Sequence, residues 1–250
     1  IGPYCVIGAD DYGDIDIGDN VVLKSHVVID VPCEIGAGTQ IFSFAAIAIN
    51  QDKKATGKVG KVKIGCNNTI REHATINSGT PGGGNVTSIG DNCLIMTAAH
   101  VAHDCVIGNN VILVNNATLG GHVVVNDFAI IGGLAAVHQF VKIGKHAIIG
   151  GMSGVERDVI PYGTVKGERA SLEGLNIIGL KRRNFTKGQI NNLRQVYKIL
   201  FSQHESSFDE RLSQVKQNYA SDHEIVELVD FICNNVSREL CMPKDTAVSV

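Results

Sequence analysis

The sequence predicts a mainly β protein: a three-sided solenoid of short strands over residues 1–165, then a helical domain over 166–250. The first observation behind this is a beat of six. Aliphatic residues stand at Ile89, Ile95, Val101, Ile107, Leu113, Leu119, Val125, Ile131, Val137, Ile143, Ile149 and Val155. The same beat runs through Ile17, Leu23, Ile29, Ile35, Ile41 and Ile47, and again through Ile64, Ile70 and Ile76. The second observation is the glycine that often follows the beat, as at Gly18, Gly36, Gly90, Gly108, Gly120 and Gly144. The third is that the beat stops near Val165 and helix-start signals take its place.

A period of six fits neither an amphipathic helix at 3.6 nor a surface strand at 2. It fits one short strand plus one turn. Three such sides close a coil of about eighteen residues, and coils that hydrogen-bond as parallel strands stack ~4.8 Å apart. The residue on the beat then points inward and lies on its copy from the neighbouring coil. Two interruptions, at 48–63 and 77–88, are predicted to be loops thrown outward. They hold Gln51-Asp52-Lys53-Lys54 and Pro81-Gly82-Gly83-Gly84.

The helical domain is read from three capping boxes, Thr186 with Gln189, Ser207 with Glu210, and Ser221 with Glu224. Each precedes an apolar stripe at helical spacing. Ile190, Leu193, Tyr197 and Leu200 form the first; Phe208, Leu212 and Val215 the second; Ile225, Leu228, Val229, Ile232 and Val236 the third. A solenoid needs its open end covered, and such a domain does that.

Composition narrows the function. With 28 Gly, no Trp and 5% aromatics, the chain suits tight turns and thin aliphatic layers. A net charge of -3 gives no reason to expect a nucleic-acid partner. Seven cysteines without C-x-x-C spacing argue against a disulfide framework and against a structural zinc site, so a cytoplasmic location is expected. No apolar run reaches the ~18 residues of a transmembrane segment. The chain opens on Ile1-Gly2, inside the repeat, and its natural start is expected further upstream.

Polar chemistry collects in the last run of the beat, at His100, His103, His122 and His138, with Asp104 beside His103. Adding eighteen to 103 reaches Gly121, one short of His122; adding thirty-six reaches Gln139, one past His138. Three histidines from successive coils are therefore expected along one edge. Such a column suits general-base catalysis, with a carboxylate fixing the imidazole tautomer, and it also suits a metal. Lys181-Arg182-Arg183, with Lys187, Arg194 and Lys198, is the one concentrated basic stretch, suited to phosphates or to an acidic partner.

Ala99-His100-Val101-Ala102-His103-Asp104-Cys105, Asn115-Asn116-Ala117-Thr118-Leu119, Gly121-His122 and Ala136-Val137-His138-Gln139-Phe140 together resemble a known family. Leu23-Lys24-Ser25-His26, Asn50-Gln51-Asp52, Gly174-Leu175-Asn176 and Gly179-Leu180-Lys181-Arg182-Arg183 extend the likeness over nearly the whole chain. The family is the UDP-N-acetylglucosamine acyltransferases of lipid A synthesis. The resemblance implies a left-handed parallel β-helix, against the usual right-handed crossover. It also implies a homotrimer with its active sites between subunits, and transfer of a 3-hydroxyacyl chain from acyl carrier protein to the sugar 3-hydroxyl.

In that resemblance His103 is the general base, Asp104 supports it, and the Gly121 N–H stabilises the oxyanion. His100, His122 and His138 line the cleft. Asp52 and Lys54 reach the cleft from the first loop, Gln139 contacts a substrate, and Asn176 and Arg183 hold the nucleotide with Arg182 close by. Gly151 is the acyl-chain ruler, with Arg169 near the far end of the acyl site. The acyl group arrives on the phosphopantetheine of the carrier protein, so the resemblance calls for no metal and no dissociable cofactor. Two positions depart from the pattern: Ile178 stands where relatives often carry Glu, and Arg169 where they often carry His. The rival readings are a trimeric β-helical carbonic anhydrase with inter-subunit zinc, and a β-helix that serves only as a scaffold.

Overall fold

The computed structural model describes residues 1–8, 13–50, 59–202, 206–234 and 238–244. Among the described residues, three sheets of eight, seven and nine strands, parallel but for one terminal strand, wrap around one core, and the chain visits them in rotation. Val101 pairs with Leu119, Leu119 with Val137, and Val137 with Val155, so each coil takes eighteen residues. Across the two interruptions the step lengthens: Ile47 pairs with Ile76, and Ile76 with Val101. The coil closes normally on either side of each interruption.

The residues on the beat form the core. From Leu23 onward all of them are buried, and only Ile17, near the open end, stays half-exposed. Most corners turn on a residue with positive φ, and many of these residues are not glycine. Three columns follow at spacing eighteen. The first corner, between the eight- and seven-stranded sheets, carries Asp104, His122 and Phe140; the second carries Asn110, Phe128 and His146; the third carries Asn116, Leu134 and Met152. An L residue in this left-handed region is strained unless its neighbours fix it. Here a bond from the backbone N–H to the previous coil fixes each one, as His122 N–H donates to His103 C=O at 3.0 Å; at Asp104 the acceptor is a side chain, the Thr87 hydroxyl.

The end of the prism differs from expectation. Gly163–Lys166 still belongs to the nine-stranded sheet, and Ser171–Leu175 pairs with it antiparallel. Residues 166–175 are therefore part of the β architecture, and the helical unit starts after Leu175. A reversed strand ends the parallel stack, and the beat cannot show it because its direction and register change. The loops are also shorter than read: Ala46–Ile49, Lys61–Ile64, Thr75–Asn77 and Val86–Ile89 extend the pairing into both.

Four helices follow: α1 (Ile177–Arg182), α2 (Lys187–Phe201), α3 (Phe208–Asn218) and α4 (His223–Cys233). Helix α1 was not expected from the sequence. The capping boxes at Thr186 and Ser207 form. The one at Ser221 does not: α4 starts one residue later, with Asp222 at its N-cap position and no side-chain cap bond. Glu224 instead accepts a hydrogen bond from Gln189 of α2, so tertiary contact outweighs the local motif. Helix α2 buries Ile190, Leu193, Val196 and Leu200, and α4 buries Ile225, Leu228 and Val229. Tyr197, Phe208, Leu212 and Ile232 pack at the margin of that core, and Val236 lies outside the described residues.

Candidate active site at the first corner

Asp104 sits at the first corner with its carboxylate fully buried. Its Oδ1 accepts from the Thr80 N–H at 2.9 Å, and its Oδ2 accepts from the Thr80 hydroxyl at 2.6 Å and from His103 Nδ1 at 2.9 Å. The Asp104 N–H donates to the Thr87 hydroxyl at 2.8 Å, which pins the turn. Burial is the largest single influence on this carboxyl and opposes its ionisation. The bonds from Thr80 and His103, with the nearby His122, outweigh it and hold the group below the usual carboxylate range.

An ionised Asp104 only accepts hydrogen bonds, so His103 Nδ1 must carry the proton. Nε2 is left with its lone pair. The space before it is kept open by Gly121, where an added Cβ would lie 2.6 Å from Nε2. Gly83 closes the site from the outward loop, passing so near that a Cβ there would meet Asp104 Oδ2 at 2.2 Å and His122 Cε1 at 2.6 Å. The His122 ring stands edge-on to His103, with centroids 5.1 Å apart, and stacks on Phe140 at 4.5 Å. Its Nε2 is 3.9 Å from Asp104 Oδ2.

His103, Asp104, Gly121 and His122 thus come together as the spacing predicted, whereas the other candidates stand apart. His100 lies one strand earlier and bonds Thr75 through Nδ1 at 2.7 Å; burial lowers its affinity for a proton. His138 and Gln139 are exposed on the next coils of the same corner, and Arg238 reaches both. Asp52 and Lys54 lie outside the described residues. Asn176 is buried as the cap of α1, accepting from the Gly179 N–H at 3.0 Å and donating to His146 C=O at 2.9 Å. Arg183 lies over the Phe128 ring at 4.4 Å on the second corner, while Arg182 is exposed. Gly151 is exposed at the third corner, and Arg169 pairs with Glu156 at 2.9 Å on the surface.

Sequence reading missed Thr80, Gly83, Thr87 and Arg238. The first three belong to the Gly-rich interruption and its edge, where Gly84 takes a φ of +104° that favours glycine. The cluster of glycines was the available signal. His103, Asp104 and His122 also offer three potential metal-ligand atoms within 4.8 Å of one another. A cation there would displace two short bonds already made to Asp104 Oδ2, so the donor set fits hydrogen-bonded acid–base work better.

Comparison with known proteins agrees with this geometry. A family model for bacterial transferase hexapeptide repeats matches residues 87–121, and one described as UDP N-acetylglucosamine O-acyltransferase, domain 2, matches residues 158–241. Fold and site together define a hexapeptide-repeat acyltransferase with a left-handed parallel β-helix. An acyl-[acyl-carrier-protein]–UDP-N-acetylglucosamine O-acyltransferase of Rickettsia canadensis is 51% identical over 242 residues, covering 96% of this chain and 90% of the relative. One of Caulobacter vibrioides is 44% identical, covering 92% and 88%. The crystal structure of the Francisella novicida UDP-N-acetylglucosamine acyltransferase covers 98% of this chain and 88% of its own, at 38% identity and a TM-score of 0.92. The chain belongs to the UDP-N-acetylglucosamine O-acyltransferase family. Among the described residues no helix is long and apolar enough to cross a membrane.

Proposed function

We propose that this chain transfers a 3-hydroxyacyl group from acyl carrier protein to the 3-hydroxyl of UDP-N-acetylglucosamine, the first step of lipid A synthesis, with His103 as general base. The observation that carries the reading is the buried Asp104–His103 pair, whose Nε2 faces a space that Gly121 keeps empty. Nε2 takes the hydroxyl proton as the sugar oxygen attacks the thioester carbonyl. Asp104 holds the tautomer and stabilises the imidazolium that forms. The Gly121 N–H serves the oxyanion, and the proton returns to the departing pantetheine thiolate. Every proton in this sequence moves on protein groups, so the reading calls for no metal and no dissociable cofactor.

The rest of the site is proposed to come from neighbouring subunits of a homotrimer. Support comes from the topology: His103 is on the first corner, Arg183 on the second and Gly151 on the third, so one prism keeps them apart. His100, His122, His138 and Gln139 line the acceptor side, and Asp52 and Lys54 also serve substrate binding. Arg182 and Arg183 hold the pyrophosphate, and the basic stretch also faces the acidic carrier protein. Asn176 serves the nucleotide by shaping the start of α1, since both ends of its amide are engaged. A cytoplasmic location follows from these partners.

The third corner is suited to the acyl tail. Leu134 and Met152 are exposed there beside Gly133 and Gly151, where a Cβ on Gly151 would lie 3.2 Å from Gly133 C=O. Exposed apolar side chains flanking bare glycine suit contact with an apolar chain. Mass spectra of product formed from a mixture of carrier-protein thioesters test the reading. Wild type should yield a singly acylated UDP-sugar bearing a long 3-hydroxyacyl chain, and Gly151→Met should shift the product to a shorter one. Absence of any acylated sugar would overturn the reaction, and identical chain preference in both proteins would place the ruler elsewhere.

A further inference from the structure

The last described segment, 238–244, returns from the helical unit to the prism and lies against its first corner. Backbone bonds hold it: Asp158 N–H donates to Glu239 C=O at 2.9 Å, Cys241 N–H to Asp158 C=O at 2.8 Å, and Leu172 N–H to Met242 C=O at 2.9 Å. Arg238 opens the segment, and its guanidinium spans two coils. Nε donates to Gln139 C=O at 2.9 Å, Nη1 to Glu156 C=O at 3.0 Å, and Nη2 to His138 Nδ1 at 2.8 Å. His138 and Glu156 are eighteen residues apart, so Arg238 lies across the last rungs of the corner that carries His103, Asp104 and His122.

We infer that Arg238 is a positioning residue that fixes His138 as its Nε2–H tautomer, making His138 a hydrogen-bond donor to an oxygen of the acceptor substrate. Guanidinium has donors only, so His138 Nδ1 in contact with it must be the acceptor. The neighbouring carbonyl of Gln139 lies 3.3 Å from the same Nδ1, but Nδ1 cannot both donate to it and accept from Nη2, and the shorter, charge-assisted contact to Nη2 at 2.8 Å decides between them. Neutral imidazole then carries its one hydrogen on Nε2. Two histidines on one corner are thereby set in opposite senses, both by the partner of Nδ1: Asp104 leaves His103 Nε2 as a base, and Arg238 leaves His138 Nε2 as a donor. The fork geometry explains the choice of arginine, since a lysine ammonium cannot span three acceptors on two coils. The inference rests on the reading of this corner as the acceptor site.

Nitrogen–proton correlation spectra of protein labelled with 15N-histidine test it, with the His138 signals assigned by their loss in His138→Ala. Wild type should show His138 protonated at Nε2 and bare at Nδ1, and Arg238→Ala should show a mixture of tautomers. Kinetics supply the second arm. Arg238→Ala should lower kcat/KM roughly tenfold, the scale of one lost charge-assisted hydrogen bond, and have no further effect in a His138→Ala background. Arg238→Lys should not restore the rate. An Nδ1–H tautomer in wild type, or an equal loss in both backgrounds, would overturn the inference, the latter revealing a purely structural strap. Full activity of His138→Ala with the Nε2–H tautomer intact would instead overturn the role of His138 at the acceptor site, and the positioning role would fall with it.

Discussion

His122 and His146 occupy equivalent positions on two corners of one prism. Both take a left-handed φ near 60°, and both stack on a phenylalanine one coil away, His122 on Phe140 and His146 on Phe128. Their surroundings set them apart. The first corner is closed by a polar loop, so Thr80 and Gly83 bring hydrogen bonds and close backbone to a buried carboxylate. The second corner is closed by the helical unit, where Phe185 stands edge-on to His146 and the Tyr162 hydroxyl donates to Glu227 of α4. There His146 is 6% exposed, with no partner for Nδ1 among the described residues. The repeat supplies positions, and what covers each corner decides whether a histidine there does chemistry or packs.

Three substitutions separate the corners. Asp104→Asn on the first should keep the fold and lower the acyl-transfer rate by roughly 10²–10⁴-fold, since an amide cannot hold the Nδ1–H tautomer of His103. Steady-state rates with circular dichroism as the folding control check this.

His146→Phe on the second corner should leave acyl transfer unchanged and alter stability against pH. Burial, aided by Arg183 and Lys145 and opposed by Glu227 and Asp127, pushes His146 down from 6.5 to about 4. The unfolded chain therefore binds a proton between those values that the folded chain does not. Stability is fully present above pH 6.5 and falls as pH drops toward 4, by up to about 3 kcal/mol. Phenylalanine removes that loss and is accepted at positive φ at Phe128 and Phe140. Thermal melts at pH 7 and pH 4.5 should show a smaller difference in the variant than in wild type.

The smallest effect is expected from Arg183→Ala, which should raise KM for the nucleotide sugar roughly tenfold with kcat little changed, because a phosphate contact acts before the chemical step. An unchanged KM would remove the second corner from the site.

Much of the prism was legible because its period is rigid: one inward aliphatic every sixth residue leaves a trace that no other element produces. The grouping of His103, Asp104, Gly121 and His122 follows from the same arithmetic. Contacts made across the repeat were not legible. Thr80 and Gly83 reach Asp104 from an interruption whose path the beat does not constrain, and Arg238 returns to the prism 100 residues after His138. Leu172 and Leu175 lie on a strand of reversed direction, where counting by eighteen fails. That Asn176 also caps a six-residue helix was not legible, because so short a helix does not announce itself by periodicity.

Single-turnover acyl transfer by His103→Ala and His146→Phe, measured side by side with wild type at pH 7.5, tests most directly the claim that the first corner alone is catalytic. The account predicts a loss of roughly 10²–10⁴-fold for His103→Ala with an unchanged melting temperature, and a wild-type rate for His146→Phe. A near-normal rate in His103→Ala, or an equal loss in both variants, would contradict it.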